Sequence, residues 1–312
     1  MKRLAAIDVG TNTVLLFVAD VGEDGNLLPV QDMERTTRLG RGLAATGRIH
    51  PEPLSKTVEV IDAYLAVCED LRVDDVHIVG TSALRDAQNG VDLVNVVEER
   101  FGVNIRIISG EQEAGYAYLA ANHEMGPGHP LLVVDIGGGS AEIIVGEGEN
   151  ILDHHSLTVG AVRLTETFFR SDLIREDEFQ SMMDNISRNL RTLALPHPTK
   201  VVGMGGTITT LSAVHKGNER FDPARIHGSL LSLDEVRRQV LLYRGKTLAE
   251  RCQIPGLPRE RADIILAGAS ILLEMLNILG VKELVVTCHG LRYGLLYAAA
   301  RDLCIEKSWK SC

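Results

Sequence analysis

The chain has 312 residues, of which 45% are hydrophobic and only 4% aromatic, and its formal net charge is −10. That length allows two domains with separate cores, and the acidic balance disfavours nucleic acid or an anionic membrane as partner. Five scattered cysteines without a Cys-x-x-Cys pair fit a reducing compartment and offer no zinc or disulfide framework. No apolar run reaches the length of a membrane span, so the expected location is the cytoplasm.

Apolar runs predict strands at residues 4–9 and 14–19, and Asp24-Gly25-Asn26 predicts a hairpin turn into a third strand at 27–35. A loop rich in glycine and arginine follows, Thr37-Arg38-Leu39-Gly40-Arg41-Gly42-Leu43. Val58, Ile61, Leu65 and Cys68 recur at helical spacing and predict a helix over 54–71. A short buried strand at 76–79 runs into Gly80-Thr81-Ser82-Ala83-Leu84-Arg85-Asp86. A helix at 91–101 leads to a strand at 105–108, and Ser109-Gly110-Glu111 opens a helix with Glu113 in its first turn. The stretch 122–130 has no periodicity and contains Gly126-Pro127-Gly128. It is the expected boundary between an N-terminal domain, 1–124, and a C-terminal domain, 125–312.

The second half opens on Leu132-Val133-Val134-Asp135-Ile136-Gly137-Gly138-Gly139-Ser140-Ala141-Glu142-Ile143-Ile144-Val145. Two apolar runs read as strands around a glycine turn, whose amides can cradle phosphate oxygens beside a carboxylate able to hold a hydrated metal ion. A third strand is expected at 151–157, helices at 162–169 and 176–195, and a strand at 200–202 entering Gly203-Met204-Gly205-Gly206-Thr207. Long helices are expected at 232–252 and 259–279. A strand at 283–286 then ends in Thr287-Cys288-His289-Gly290-Leu291-Arg292, and a last helix, about 296–312, is expected to pack back on the N-terminal domain.

The chain says the same thing twice. Ile7-Asp8-Val9-Gly10-Thr11-Asn12-Thr13 lines up without a gap on Val134-Asp135-Ile136-Gly137-Gly138-Gly139-Ser140. Ile78-Val79-Gly80-Thr81 aligns with Val201-Val202-Gly203-Met204, and Ile107-Ile108-Ser109-Gly110-Glu111 with Val285-Val286-Thr287-Cys288-His289-Gly290. The second half carries an insertion at about 215–280. Two related domains, each led by Asp-x-Gly, are expected to face each other across a cleft, with the twin glycine turns as a phosphate clamp.

On these motifs, together with Thr37-Arg38-Leu39-Gly40, Gly80-Thr81-Ser82-Ala83-Leu84-Arg85-Asp86-Ala87, Ile108-Ser109-Gly110-Glu111-Gln112-Glu113-Ala114, Gly205-Gly206-Thr207 and Gly290-Leu291-Arg292-Tyr293-Gly294, the chain resembles the exopolyphosphatase and guanosine pentaphosphate phosphohydrolase family. Gln112 stands where many members have Glu, and Tyr293 where Glu is frequent; the chain is expected to be the short form, without the C-terminal helical domain of longer members. The resemblance implies an α/β fold of two tandem ribonuclease-H-like domains, as in actin, Hsp70 and sugar kinases, with an interdomain cleft.

It also implies Mg²⁺-dependent hydrolysis of the terminal phosphoanhydride of inorganic polyphosphate, with guanosine pentaphosphate as second choice, and leaves a homodimer open. By the same resemblance Glu113 is the base for the attacking water, and Glu142 a supporting carboxylate that positions metal or water. Asp8 and Asp135 are the metal positions. Thr11, Asn12, Thr13, Gly137, Gly138, Gly139, Ser140, Gly206 and Thr207 bind phosphate. Arg85 and Arg292, which end matching motifs in the two halves, fork onto phosphate oxygens, with Arg38 as a third arginine. The basic stretch 220–261 is a candidate track for a long polyanion.

Other signals carry less. Gly245-Lys246-Thr247 looks like the end of a P-loop, but Val240 stands where its first glycine must be, so the stretch reads as a helix-helix linker. His154, His155 and His289 lack zinc-site partners at the right spacing, and Cys288 reads as a core thiol. Two rival readings stay open: an ATP-using kinase or ATPase with an adenosine loop at Gly203–Thr207, and a non-catalytic alarmone sensor.

Overall fold

The computed structural model describes residues 1–126, 130–191, 193, 200–217 and 221–310, with side chains as far as residue 301. It divides into two units, Met1–Glu124 with His289–Cys312, and Met125–Cys288. Part of the Gly126-Pro127-Gly128 stretch, and residues 194–195 of the expected helix 176–195, lie outside the described residues.

The first unit runs β1 (Lys2–Val9), β2 (Thr13–Val21), β3 (Leu27–Thr36), α1 (Leu43–Thr46), α2 (Pro51–Asp70), β4 (Asp75–Gly80), α3 (Ser82–Asp86), α4 (Gly90–Phe101), β5 (Ile105–Ile107) and α5 (Gly110–Met125). Its sheet has the order β3-β2-β1-β4-β5. β2 is antiparallel to β1 and β3, whereas β1, β4 and β5 are parallel. β1 is apolar on both faces because both are covered. Ala5, Ile7 and Val9 join Ile61, Tyr64 and Val97 of the α2–α4 side. Leu4 and Ala6 join Ala120 of α5 and residues from the end of the chain.

The second unit runs β6 (Leu131–Ile136), β7 (Ala141–Glu147), β8 (Asn150–Leu157), α6 (Ala161–Phe168), α7 (Glu176–Leu190), β9 (Lys200–Met204), α8 (Gly205–Lys216), α9 (Pro223–Ile226), β10 (Leu230–Ser232), α10 (Leu233–Arg244), α11 (Leu248–Arg251), a 3₁₀ turn (Arg259–Arg261), α12 (Ile265–Leu279) and β11 (Glu283–Val286). Its sheet order is β10-β11-β9-β6-β7-β8. From the other edge, β8-β7-β6-β9-β11 repeats the first unit's order and strand senses, with β10 added. The duplicated α/β fold is therefore the one the internal repeat predicts. The last helix, α13 (Leu291–Lys310), belongs to the first unit, where Tyr293 stacks on Phe17 of β2 at 3.8 Å. Among the described residues no helix is long and apolar enough to cross a membrane.

Two expected helices are shorter than the apolar periodicity suggests. The stretch 232–252 breaks into α10 and α11. Thr247 caps α11 reciprocally with Glu250, and this capping box starts a new helix where the P-loop lookalike stands. The stretch 259–279 becomes a 3₁₀ turn and then α12. Arg251, 2% exposed, gives its guanidinium to the carbonyls of Ala262 (3.1 Å), Lys246 (3.2 Å) and Asp172 (3.4 Å). One buried side chain thus holds the linkers at both ends.

Candidate functional site

In the first unit the strand pair β1–β2 ends in a tight loop, closed by Gly10 N–H donating to Thr13 O at 2.9 Å. Asp8 lies one residue before the end of β1, in register with Leu15 of β2 and Val79 of β4. Thr11 and Asn12 are buried. A second loop is laced onto the first: the amides of Thr37 and Arg38 both donate to Asn12 O, at 3.1 and 2.9 Å, and Gly40 N–H donates to Thr11 O at 2.8 Å. A Cβ on Gly40 would stand 2.3 Å from Thr11 Cγ2, so a side chain there would push the loops apart. Arg38 has φ +58°, the left-handed region that costs a non-glycine residue about 1 kcal/mol or more.

The loop after β4 turns into α3, which carries Arg85. Its Nη1 donates to Glu113 Oε2 at 3.0 Å and to the carbonyl of Ile108 at 2.9 Å. Glu113, on the first turn of α5, has a side chain only 14% exposed. Burial pushes its carboxyl above the ordinary carboxylate range, and the Arg85 guanidinium opposes that shift without cancelling it. The helix start alone would favour the ionised form; here burial outweighs it.

Arg292 is not brought to this pair. It forks onto both carboxylate oxygens of Asp32 on β3, at 2.9 and 3.2 Å, and Tyr293 Oη donates to the same carboxylate at 3.2 Å. Nor is it the positional twin of Arg85. Arg292 follows β11, whose twin is β5, so its counterpart lies in the 109–113 segment. The resemblance could not show this, because Asp32 is 260 residues away in sequence.

In the second unit Gly137 N–H donates to Ser140 O at 3.0 Å, the twin of the Gly10–Thr13 closure. Asp135 is directly opposite Glu142 across β6–β7, and Glu142 is opposite Ser156 across β7–β8. Directly opposed residues of an antiparallel pair share one face. Two carboxylates therefore stand side by side there, with Glu142 only 2% exposed and accepting from Ser156 Oγ at 3.1 Å.

The glycine turn is held from behind. Gly137 O accepts from Ala161 N–H, Gly138 O from Val162 and Arg163 N–H, and Gly139 O from Arg163 Nε at 3.0 Å. The turn's carbonyls are thus committed to the first turn of α6. A Cβ on Gly160 would meet Gly138 O and Gly139 C at 2.4 Å, so this contact has no room for a methyl group.

Behind β6, Gly205 begins α8 with φ +84°, and a Cβ there would stand 2.2 Å from Asp135 Oδ1. A Cβ on Gly206 would lie 2.2 to 2.3 Å from the guanidinium of Arg261. The two glycines let a carboxylate and an arginine close on the start of α8, where Thr207 is buried. Arg163 and Arg261 escape sequence reasoning. The Gly-Gly pair signals that something approaches closely, but no spacing says that the visitor comes from residue 261.

His289 pairs with Glu124 and stacks on Tyr293 at 3.9 Å, His155 pairs with Asp153 at 3.1 Å, and Cys288 packs on the second unit's core.

A sequence model of the Ppx/GppA phosphatase family matches residues 17–302. Exopolyphosphatase 2 of Mycobacterium tuberculosis is 33% identical over 320 residues, covering 96% of this chain and 99% of that protein. The guanosine-5'-triphosphate,3'-diphosphate pyrophosphatase of Aliivibrio fischeri is 28% identical over 304 residues, and the match spans 96% of this chain but 59% of that longer protein. Among solved structures, the crystal structure of the Aquifex aeolicus member of the Ppx/GppA family superimposes with a TM-score of 0.83 at 33% identity, covering 96% of this chain and 98% of that one.

Proposed function

Since the chain belongs to the Ppx/GppA phosphatase family, we propose that it hydrolyses the terminal phosphoanhydride of inorganic polyphosphate and takes guanosine pentaphosphate as a second substrate. The observation that carries this reading is the Arg85–Glu113 pair. A buried carboxylate held above its ordinary pKa, and aimed by a guanidinium at 3.0 Å, is the group needed to accept a proton from an attacking water. Phosphoryl transfer asks little else of the protein than positioning and charge neutralisation.

In the first unit, Thr11, Asn12, Thr13 and Arg38 receive phosphate oxygens. In the second, Gly137, Gly138, Gly139 and Ser140 do so from the amide side of their turn, because its carbonyls bond to α6. Gly206 and Thr207 offer the start of α8, and Arg261 adds a guanidinium there. Arg292, occupied by Asp32, serves the packing of α13.

Of the two metal positions, Asp135 of the second unit would hold Mg²⁺ with Glu142 supporting it, and Asp8 of the first unit offers the same carboxylate chemistry. The donor set fits: the carboxylates of Asp135 and Glu142 stand side by side on one sheet face and offer the hard oxygen ligands that Mg²⁺ takes. Bound there, the ion would neutralise charge on the phosphate oxygens.

The test is orthophosphate release from long-chain polyphosphate without any nucleotide. Release is expected, to be lost with a chelator and restored by Mg²⁺; strict dependence on ATP would instead favour a kinase or ATPase, and binding of guanosine pentaphosphate without turnover would favour a sensor.

The pair also sets a pH dependence. Activity requires ionised Glu113, so kcat/KM falls as pH drops through its raised pKa. Arg85 pulls that pKa down, so Arg85→Met raises it further, and the acidic limb of the kcat/KM profile moves to higher pH. A limb that stays in place would separate Arg85 from the ionisation of Glu113.

A further inference from the structure

The two laced loops of the first unit hold two polar side chains that no other described residue pairs with. Asn12 is 6% exposed and Thr37 is 3% exposed. Neither Asn12 Nδ2 nor Thr37 Oγ1 has a hydrogen-bond partner among the described residues. The residues are bound to each other through their backbones, Thr37 N–H donating to Asn12 O at 3.1 Å. Buried polar groups are almost always paired, so two neighbouring exceptions need an explanation. The chain also holds Arg38, the next residue, in the left-handed region to keep this loop in place.

The donor chemistry restricts what could pair them. An amide Nδ2 offers only hydrogens, so it cannot ligate a metal ion; its partner must be an acceptor. Thr37 Oγ1, on the residue whose amide is bonded to Asn12 O, can donate as well. Two donors next to an arginine suit an oxygen that is acceptor-only and anionic.

Building on the polyphosphate reading above, we propose that Thr37 is a further substrate-binding residue, whose hydroxyl acts with Nδ2 of Asn12 as a paired donor to phosphate oxygens. Thr37 enters no other part of the site. Its amide laces the loop to Asn12, and its hydroxyl has no partner among the described residues.

Thr37→Val tests this, because valine keeps the shape and removes only the hydroxyl. Without ligand, the thermal midpoint of Thr37→Val should equal or exceed that of the parent, since an unpaired buried hydroxyl is lost. Calorimetric binding of sodium tripolyphosphate should weaken roughly 10- to 100-fold, the scale of one hydrogen bond to a charged acceptor, and KM for polyphosphate should rise more than kcat falls. Thr37→Ser should bind like the parent. Equal tripolyphosphate affinity in Thr37→Val and the parent would overturn the proposal, as would a midpoint several degrees lower, which would mean the hydroxyl is paired within the fold. If the parent binds tripolyphosphate with this Thr37 dependence yet releases no orthophosphate from polyphosphate, the hydrolase reading fails and this one stands. If the parent binds no tripolyphosphate at all, both fail.

Discussion

Glu113→Gln is expected to reduce polyphosphate turnover by about 10²- to 10⁴-fold, the usual contribution of a general base, while leaving substrate affinity within a few-fold of the parent. Glutamine matches the shape of the carboxylate and can still face Arg85, but it cannot accept a proton from water. Burial, which raises the pKa of Glu113, makes the carboxylate a stronger base than an exposed glutamate and keeps competing solvent away. Steady-state kinetics beside calorimetric binding of polyphosphate make the comparison. A kcat within tenfold of the parent would remove Glu113 from the chemistry, and a parallel loss of binding would make it a contact for the substrate.

Gly160→Ala should lower both stability and turnover through a position that touches no substrate. Its new methyl would collide with backbone atoms of Gly138 and Gly139 at 2.4 to 2.5 Å, and backbone cannot swing aside as a side chain can. Overpacking of this kind costs about 1–3 kcal/mol. The atoms that must yield form the phosphate turn itself, so a displacement near 1 Å would add a loss of about 10²-fold in turnover. Thermal denaturation and kcat should fall together. A fall in the midpoint with unchanged kcat would show that the turn is not where phosphate is held.

The features legible in the sequence are those written in adjacent residues. Two apolar runs around Gly137-Gly138-Gly139, and the matching runs around Gly10, specify strand pairs because a buried strand needs continuous apolar side chains and a tight turn needs glycine. The repeats pair β6 with β1, β9 with β4 and β11 with β5, and the two sheets place these strands in matching order. Placing Glu113 in the first turn of α5 needed only a strand-to-helix junction. What stayed hidden depends on contacts between distant residues. Arg292 carries a motif suited to phosphate, yet Asp32 on β3 holds it. Arg261 is one of many basic residues in its stretch until the fold lays it on Gly206. The linker at Gly245-Lys246-Thr247 is legible in sequence, but the capping box at Thr247 and the buried Arg251 that fix the break within 232–252 are not. Local pattern cannot show which residue will claim a carbonyl or a carboxylate across the fold.

In the proposed hydrolysis a water, deprotonated with the help of Glu113, attacks the terminal phosphorus of the chain. Hydrolysis in H₂¹⁸O, read by mass spectrometry of the products, addresses it most directly. One solvent oxygen should appear in each released orthophosphate and none in the shortened polyphosphate, because the bond broken lies between the terminal phosphorus and its bridging oxygen. Label in the shortened chain, or orthophosphate without label, would contradict it.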